Sequence, residues 1–165
     1  DITYETTDAV VNAARSSLLG GGGVDGAIHR KAGPELREYC KKLVGCSPGN
    51  AKITPAFNLP VRYIIHAVGP IYRDGKSGER EILVKAYQSA LSIAADYGLH
   101  SIAFPSISTG HYRYPFEEAA EIAVKTVGEH LRGQTSLELV RFVLYGEDER
   151  VYIDLIKKHT EGDSW

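Results

Sequence analysis

The sequence predicts an α/β domain with a mostly parallel sheet covered by helices on both faces. Three observations lead there. Short apolar runs, continuous rather than alternating, read as strands buried on both sides. They take turns along the chain with stretches whose apolar residues recur at helical spacing. The first apolar run also leads directly into a glycine-rich loop and then a helix, the strand–loop–helix order of ligand-binding α/β sheets. Composition agrees: in 165 residues, 43% hydrophobic and 24% charged are globular averages, which excludes a disordered tail. No apolar run approaches the roughly 18 residues of a membrane-spanning helix. A single domain over residues 1–165 is expected.

The elements follow in order. Asp8 to Ala14 is a β-rich run that feeds the loop Ser16 to Gly23, and Val24 to Ala32 reads as a helix. Gly33-Pro34 breaks it before a second helix, Pro34 to Val44, with proline at its first position. Lys52 to Phe57 and Tyr63 to Val68 are strands joined by a hairpin-like turn at Asn58-Leu59-Pro60. Glu79 to Tyr97 carries Ile82, Leu83, Ala86, Tyr87, Ala90, Leu91, Ile93 and Ala94 at helical spacing, and Gly98 supplies the left-handed stop. Ser101 to Phe104 is a short strand followed by a polar loop, Pro105 to Pro115. Phe116 to Leu131 is a helix, Glu138 to Tyr145 a strand, and Asp148 to His159 a last helix.

Ligands in such sheets gather at the carboxyl ends of the strands, which singles out the loops 15–25, 105–114 and 145–148. Gly21, Gly23 and Gly26 satisfy G-x-G-x-x-G, but no second strand ending in an acidic residue follows at dinucleotide-fold spacing, and no P-loop motif is present. Convergent backbone N–H groups at Gly20 to Gly26 and a helix N-terminus suit a phosphate. The hydroxyl-bearing loop Ser106-Ile107-Ser108-Thr109-Gly110-His111 is a second such element, and two facing loops would clamp a diphosphate.

Asp25 stands at a helix start, where it reads either as an N-cap or as a ligand or catalytic group. His29 reads as a packed helix residue and His66, inside an apolar strand, as a satisfied core histidine. His111 is the histidine that falls in a candidate site loop, with Tyr112 beside it to stack on a sugar or base. No His/Cys/Asp cluster has metal spacing and no G-x-S-x-G is present, so neither metal nor cofactor is expected. Two cysteines, Cys40 and Cys46, are too few for a disulfide scaffold. With no targeting segment read, a cytoplasmic location is the expectation. A net charge of −2 without a basic stripe disfavours nucleic acid as a partner.

Taken together, Asp1-Ile2-Thr3, Val11-Asn12-Ala13-Ala14, the segment Ser16 to His29, Ile65 to Pro70, Ala103 to Gly110 and Tyr114-Pro115 resemble the macrodomain family in order and register, particularly its MacroD-type hydrolase branch. The resemblance implies a three-layer α/β/α fold with a mixed, mostly parallel central sheet. It implies binding of ADP-ribose, and hydrolysis of the ester that joins it to Asp or Glu side chains or to acetate, with ADP-ribosylated proteins as partners. By position, Asp1, Ile2 and Tyr145 would meet the adenine. Gly21, Gly22, Gly23 and Val24, facing Ser106, Ser108, Thr109, Gly110, His111 and Tyr112, would enclose the diphosphate and distal ribose. Asn12 belongs to the same binding set, and Asp25 would orient the distal ribose or the attacking water.

Three departures accompany the resemblance. The family pattern N-x-x-x-x-x-x-G-G-x-D puts Arg15 where an asparagine is expected, so a donor-only cation replaces an amide. His111-Tyr112-Arg113 stands where a small aliphatic residue, an aromatic and a glycine are common, and His111 is a candidate to replace part of the amide's role. The strand that usually precedes the Asp1 segment is not in the sequence. The expected function is therefore an ester hydrolase with Asp25, Arg15 and His111 as its catalytic candidates. The alternative is a catalytically silent ADP-ribose reader, because of Arg15.

Overall fold

The computed structural model describes residues 1–161. A 3₁₀ turn at Ile2–Tyr4 leads into β1 (Ala9–Ala13), α1 (Gly23–Ala32), α2 (Pro34–Lys41), β2 (Ala51–Pro55) and β3 (Tyr63–Ala67). Then come α3 (Glu79–Asp96), β4 (Ser101–Phe104), α4 (Phe116–Arg132), β5 (Leu139–Phe142) and α5 (Asp148–Glu161). The described strands form one sheet in the order β2-β3-β1-β4-β5. Only the β2–β3 pair is antiparallel. The sheet is thus mixed and mostly parallel, as expected, with the hairpin at one edge. Parallel pairing sends β1, β3 and β4 out at the same edge, so the loops that follow them meet there.

Neighbouring strand residues point to opposite faces, and both faces are covered. Val10, Ile64, Val68 and Ala103 pack with Ile28 and Leu36 of the α1–α2 layer. Val11, Ile65, Ala67 and Phe104 pack with Leu83, Tyr87, Ala120 and Tyr152 from α3, α4 and α5. This is why the strands read as continuous apolar runs. Each fully buried Leu or Ile here contributes about 1.5–3 kcal/mol through area removed from water, and Ile28, Leu36, Ile64, Ile65, Leu83 and Leu91 are all buried.

Several elements end earlier than their apolar pattern suggests, and in two cases a left-handed residue falls within the expected continuation. α2 stops at Lys41 rather than Val44, where φ is 56°; Lys52 Nζ reaches across to the Leu43 and Gly45 carbonyls. β2 stops at Pro55 rather than Phe57, whose φ of 54° lets Asn58 N–H reach the Ala32 carbonyl. β5 ends at Phe142 rather than Tyr145.

The segment between β3 and α3 is organised by one carboxylate. Glu79 Oε2 accepts from the backbone N–H groups of Arg73, Asp74 and Gly75 at 3.0–3.1 Å, and Oε1 from Ser77 N–H at 2.7 Å. These donors hold its carboxyl down to about 2. A depressed carboxyl stabilises the fold above its ordinary value of 4.5, and that stability is lost as pH falls toward 2. We therefore expect Glu79→Gln to lower the melting temperature at pH 7 and the gap from wild type to close as acid titrations pass from 4.5 to 2. A constant gap across that range in calorimetry would refute the assignment.

Candidate functional site

At the carboxyl edge of β1, β3 and β4 lies a cleft of about 140 Å³ lined by Ala13, Ala14, Arg15, the helix start Gly22 to Asp25, Gly69, Ser106 to Ser108 and Gly110 to Tyr112. That is below the roughly 300–1,000 Å³ of drug-sized ligand pockets. A second cavity, between α4, β5 and α5, is lined by Val124, Val127, Leu131, Val140, Phe142 and Ile156 with Gly128 and Arg132, and offers one polar side chain.

The first wall is the start of α1. Its N-cap is Gly22, which has no side chain to satisfy the first-turn N–H groups. Those donors, with the positive end of the helix dipole, suit an anion. The second wall is the loop after β4, fixed from below at several points. Ser108 Oγ donates to the Pro70 carbonyl at 2.8 Å, Tyr72 N–H to the Tyr112 carbonyl at 2.8 Å, and Ile107 N–H to the Tyr87 hydroxyl at 3.3 Å. Gly69 is required by this packing: a Cβ there would collide with Ser108 Oγ and stand 2.6 Å from Ile107 Cγ2. His111 leans across the gap, its Nε2 3.5 Å from where a Gly22 Cβ would be.

Asp25 is buried at the floor, 4% exposed. Of the two readings open from sequence, the N-cap one is excluded: α1 begins at Gly23, which makes Asp25 the third helical residue, and its side chain turns inward instead. Asp25 Oδ1 accepts from Asn12 Nδ2 at 2.8 Å, with His29 Nε2 at 3.5 Å. Oδ2 has no hydrogen-bond partner among the described residues. Burial raises the Asp25 carboxyl above its ordinary 3.8, against the pull of the Asn12 hydrogen bond and of His29 and Arg15. Burial likewise lowers His29, with Asp25 pulling it back up. Arg15, exposed at the mouth, lays Nε 2.6 Å and Asp25 Oδ2 lies 3.2 Å from the position a Gly21 Cβ would take. Glycine at 21 is what lets the guanidinium and the carboxylate share that point.

The cleft thus brings together Arg15, Gly22, Gly23, Val24, Asp25, Ser106, Ser108, Gly110, His111 and Tyr112 of the residues singled out from sequence. Gly21 borders it through Arg15, and Asn12 lies beneath Asp25. Thr109 turns its hydroxyl to Ser106 Oγ at 2.8 Å rather than into the cleft. Asp1, Ile2 and Tyr145 do not line it. Asp1 caps the 3₁₀ turn through Thr3 N–H at 2.9 Å, Ile2 is buried with Val10 and Ile28, and Tyr145 is 61% exposed. Ala13, Ala14, Gly69 and Ile107 line the cleft without having been singled out. The Gly69-Pro70 stop after a strand was the signal available for one of them. Among the described residues no three His, Cys, Asp or Glu side chains gather as a metal group, and no helix is long and apolar enough to cross a membrane.

Comparison with known proteins places this geometry. Residues 11–123 match the Macro domain family. A macro domain-containing protein of Methanosarcina mazei is 53% identical over 148 residues, 90% of this chain and 79% of its own. An O-acetyl-ADP-ribose deacetylase of Escherichia fergusonii is 51% identical over 168 residues, 99% of this chain and 94% of its own. Among solved structures, the Oceanobacillus iheyensis macrodomain with ADP aligns with a TM-score of 0.92 at 44% identity, covering 98% of this chain and 89% of that one. The Trypanosoma brucei macrodomain in complex with ADP-ribose aligns at 0.84 and 41% identity, covering 92% and 64%. A family match over residues 11–123, identities of 53% and 51% across most of the chain, and a TM-score of 0.92 place this chain in the macro domain family.

Proposed function

We propose that this chain binds ADP-ribose and hydrolyses the ester joining it to Asp or Glu side chains or to acetate. The observation that carries the reading is Asp25: a buried carboxylate held through Oδ1 by Asn12 that lines the cleft beside the glycine loop. Desolvation outweighs the bonds this carboxylate makes, and a ligand hydroxyl or a water in the cleft is a donor it could use. The deacetylase name borne by one relative and the ADP and ADP-ribose held by structural neighbours support the same reading.

In this reading the α1 N-terminus (Gly21 to Val24) and the loop Ser108 to Tyr112 hold the diphosphate and distal ribose, largely through backbone N–H groups. Asp1, Ile2 and Tyr145 are assigned to the adenine end, where the ligand leaves the cleft, and residues 1–165 act as one domain. One water is consumed, giving ADP-ribose with a free hydroxyl and a free carboxylic acid. The ester is already activated by the sugar, so a water positioned by Asp25 Oδ2 and a diphosphate held by fixed dipoles supply the catalysis without a protein nucleophile. The partners are ADP-ribosylated proteins, and the location a reducing one such as the cytoplasm.

The second reading, a silent ADP-ribose reader, is favoured by the position of Arg15, whose guanidinium crowds the point where Asp25 Oδ2 also lies. The two separate in a single-turnover assay of ADP-ribose release from a glutamate-modified protein, with the chain in excess. We expect release by the wild type. No release by wild type and gain of release by Arg15→Asn would establish the reader.

Two further outcomes are expected. Asp25→Asn lowers the rate by about 100-fold while raising the melting temperature at pH 7. The sign follows from the raised carboxyl: its ionisation disfavours the folded state above 3.8, and that penalty vanishes below it. A lower melting temperature for Asp25→Asn at neutral pH contradicts this. Gly69→Ala pushes Ser108 and Ile107 into the cleft and weakens ADP-ribose binding by roughly tenfold or more, about 1.4 kcal/mol, in calorimetric titration. Unchanged affinity there would show that the Ser108 loop does not contact the ligand.

A further inference from the structure

His66 takes no part in the reading above, yet it is fully buried in β3 and the hydrogens around it can all be assigned. Its neighbour across the parallel β1–β3 pair is Asn12. Asn12 Nδ2 lies 3.1 Å from His66 Nδ1 and 2.8 Å from Asp25 Oδ1. On the other side of the ring, His66 Nε2 lies 2.9 Å from Thr54 Oγ1, which donates to the Pro55 carbonyl at 3.0 Å. An amide nitrogen only donates, so Nδ1 is the acceptor and the ring hydrogen stands on Nε2. That hydrogen goes to Thr54, and both Asn12 amide hydrogens are used, one by His66 and one by Asp25.

The opposite arrangement is incompatible with an ionised Asp25. Turning the Asn12 amide over sets its Oδ1 against Asp25 Oδ1 and His66 Nδ1, three acceptors together. Satisfying them requires a protonated Asp25 and a His66 hydrogen moved to Nδ1. The run Thr54, His66, Asn12, Asp25 therefore has one direction while Asp25 carries charge.

We propose that His66 is a positioning residue for Asp25: held by Thr54 with its hydrogen on Nε2, it fixes the Asn12 amide so that Asp25 keeps Oδ1 bound and stays at the cleft as an ionised acceptor. This rests on the assignment of Asp25 as the group that holds the ribose hydroxyl or the water. Burial brings His66 down to about 3, with His29 adding to the effect, so the ring stays neutral in working conditions. The other titratable or charged groups that face Asp25 are His29 on its own helix, Arg15 in the preceding loop and Cys40 on α2.

The test uses the whole chain labelled for NMR at imidazole nitrogens and carboxyl carbons, as wild type, His66→Phe and Thr54→Val. Expected are the nitrogen shifts of a neutral ring with hydrogen on Nε2, and in both variants an Asp25 carboxyl that titrates at higher pH than in wild type. Single-turnover ester hydrolysis falls about tenfold with ADP-ribose affinity unchanged within about twofold, a split that loss of packing alone does not produce. A His66 hydrogen on Nδ1, or an Asp25 titration that the variants leave in place, overturns the proposal, whatever happens to the melting temperature. So does a shifted titration with an unchanged rate. If His66→Phe fails to fold, Thr54→Val keeps the volume and gives the same readouts. Absence of hydrolysis by wild type would remove the hydrolase reading and leave the NMR result to decide the relay.

Discussion

The hydrogen bond between Asn12 Nδ2 and Asp25 Oδ1, 2.8 Å long and buried, is the interaction on which the site depends. It joins the middle of the sheet to the first turn of α1. A carboxylate taken out of water is expensive unless donors meet it, and a hydrogen bond to a charged group returns about 1.5–3 kcal/mol. With that bond made, the first turn of α1 packs carboxylate-inward, and its uncapped N–H groups are left at the cleft wall. Without it, Asp25 would be driven toward solvent and the helix start would rotate with it.

The opposite wall is built on a different principle. Its loop carries two non-glycine residues in the left-handed region, Ser108 at φ 68° and Arg113 at φ 62°. Such conformations persist when surroundings over-determine them. Here they do: Ser108 is held by Pro70, Ile107 by Tyr87, and Tyr112 by Tyr72. The segment that supplies Pro70 and Tyr72 runs on into the turn that Glu79 closes. Cleft geometry is thereby coupled to a carboxylate on α3 that does not line it.

Much of this was legible in the sequence, for identifiable reasons. Strands covered on both faces leave continuous apolar runs, and the glycine loop between β1 and α1 announced its wall through composition alone. His66 could be read as a satisfied core histidine because it interrupts an apolar strand. Its partners could not, since Asn12, Thr54 and His66 meet only through the register of β1 with β3 and the closure of the β2–β3 hairpin. Asp25 was visible as a helix-start carboxylate, but it would cap the helix only if the helix began at Gly26, and the observed start at Gly23, with the amide of Asn12 beneath, turns it inward. Ala13, Ala14 and Ile107 line the cleft with apolar atoms that carry no chemical signature. The adenine-end residues came from resemblance, and the cleft of about 140 Å³ does not reach them.

The balance at Asp25 is set against stability. Burial raises its carboxyl even though Asn12, His29 and Arg15 all act to lower it, so desolvation wins and the ionised form carries a net penalty in the fold. The donors within the fold do not offset that penalty. In the proposed reading a ligand hydroxyl meeting this carboxylate would reduce the penalty, and anything that binds the folded state alone also stabilises it. A core built wholly for stability would put an amide or an apolar group at this position.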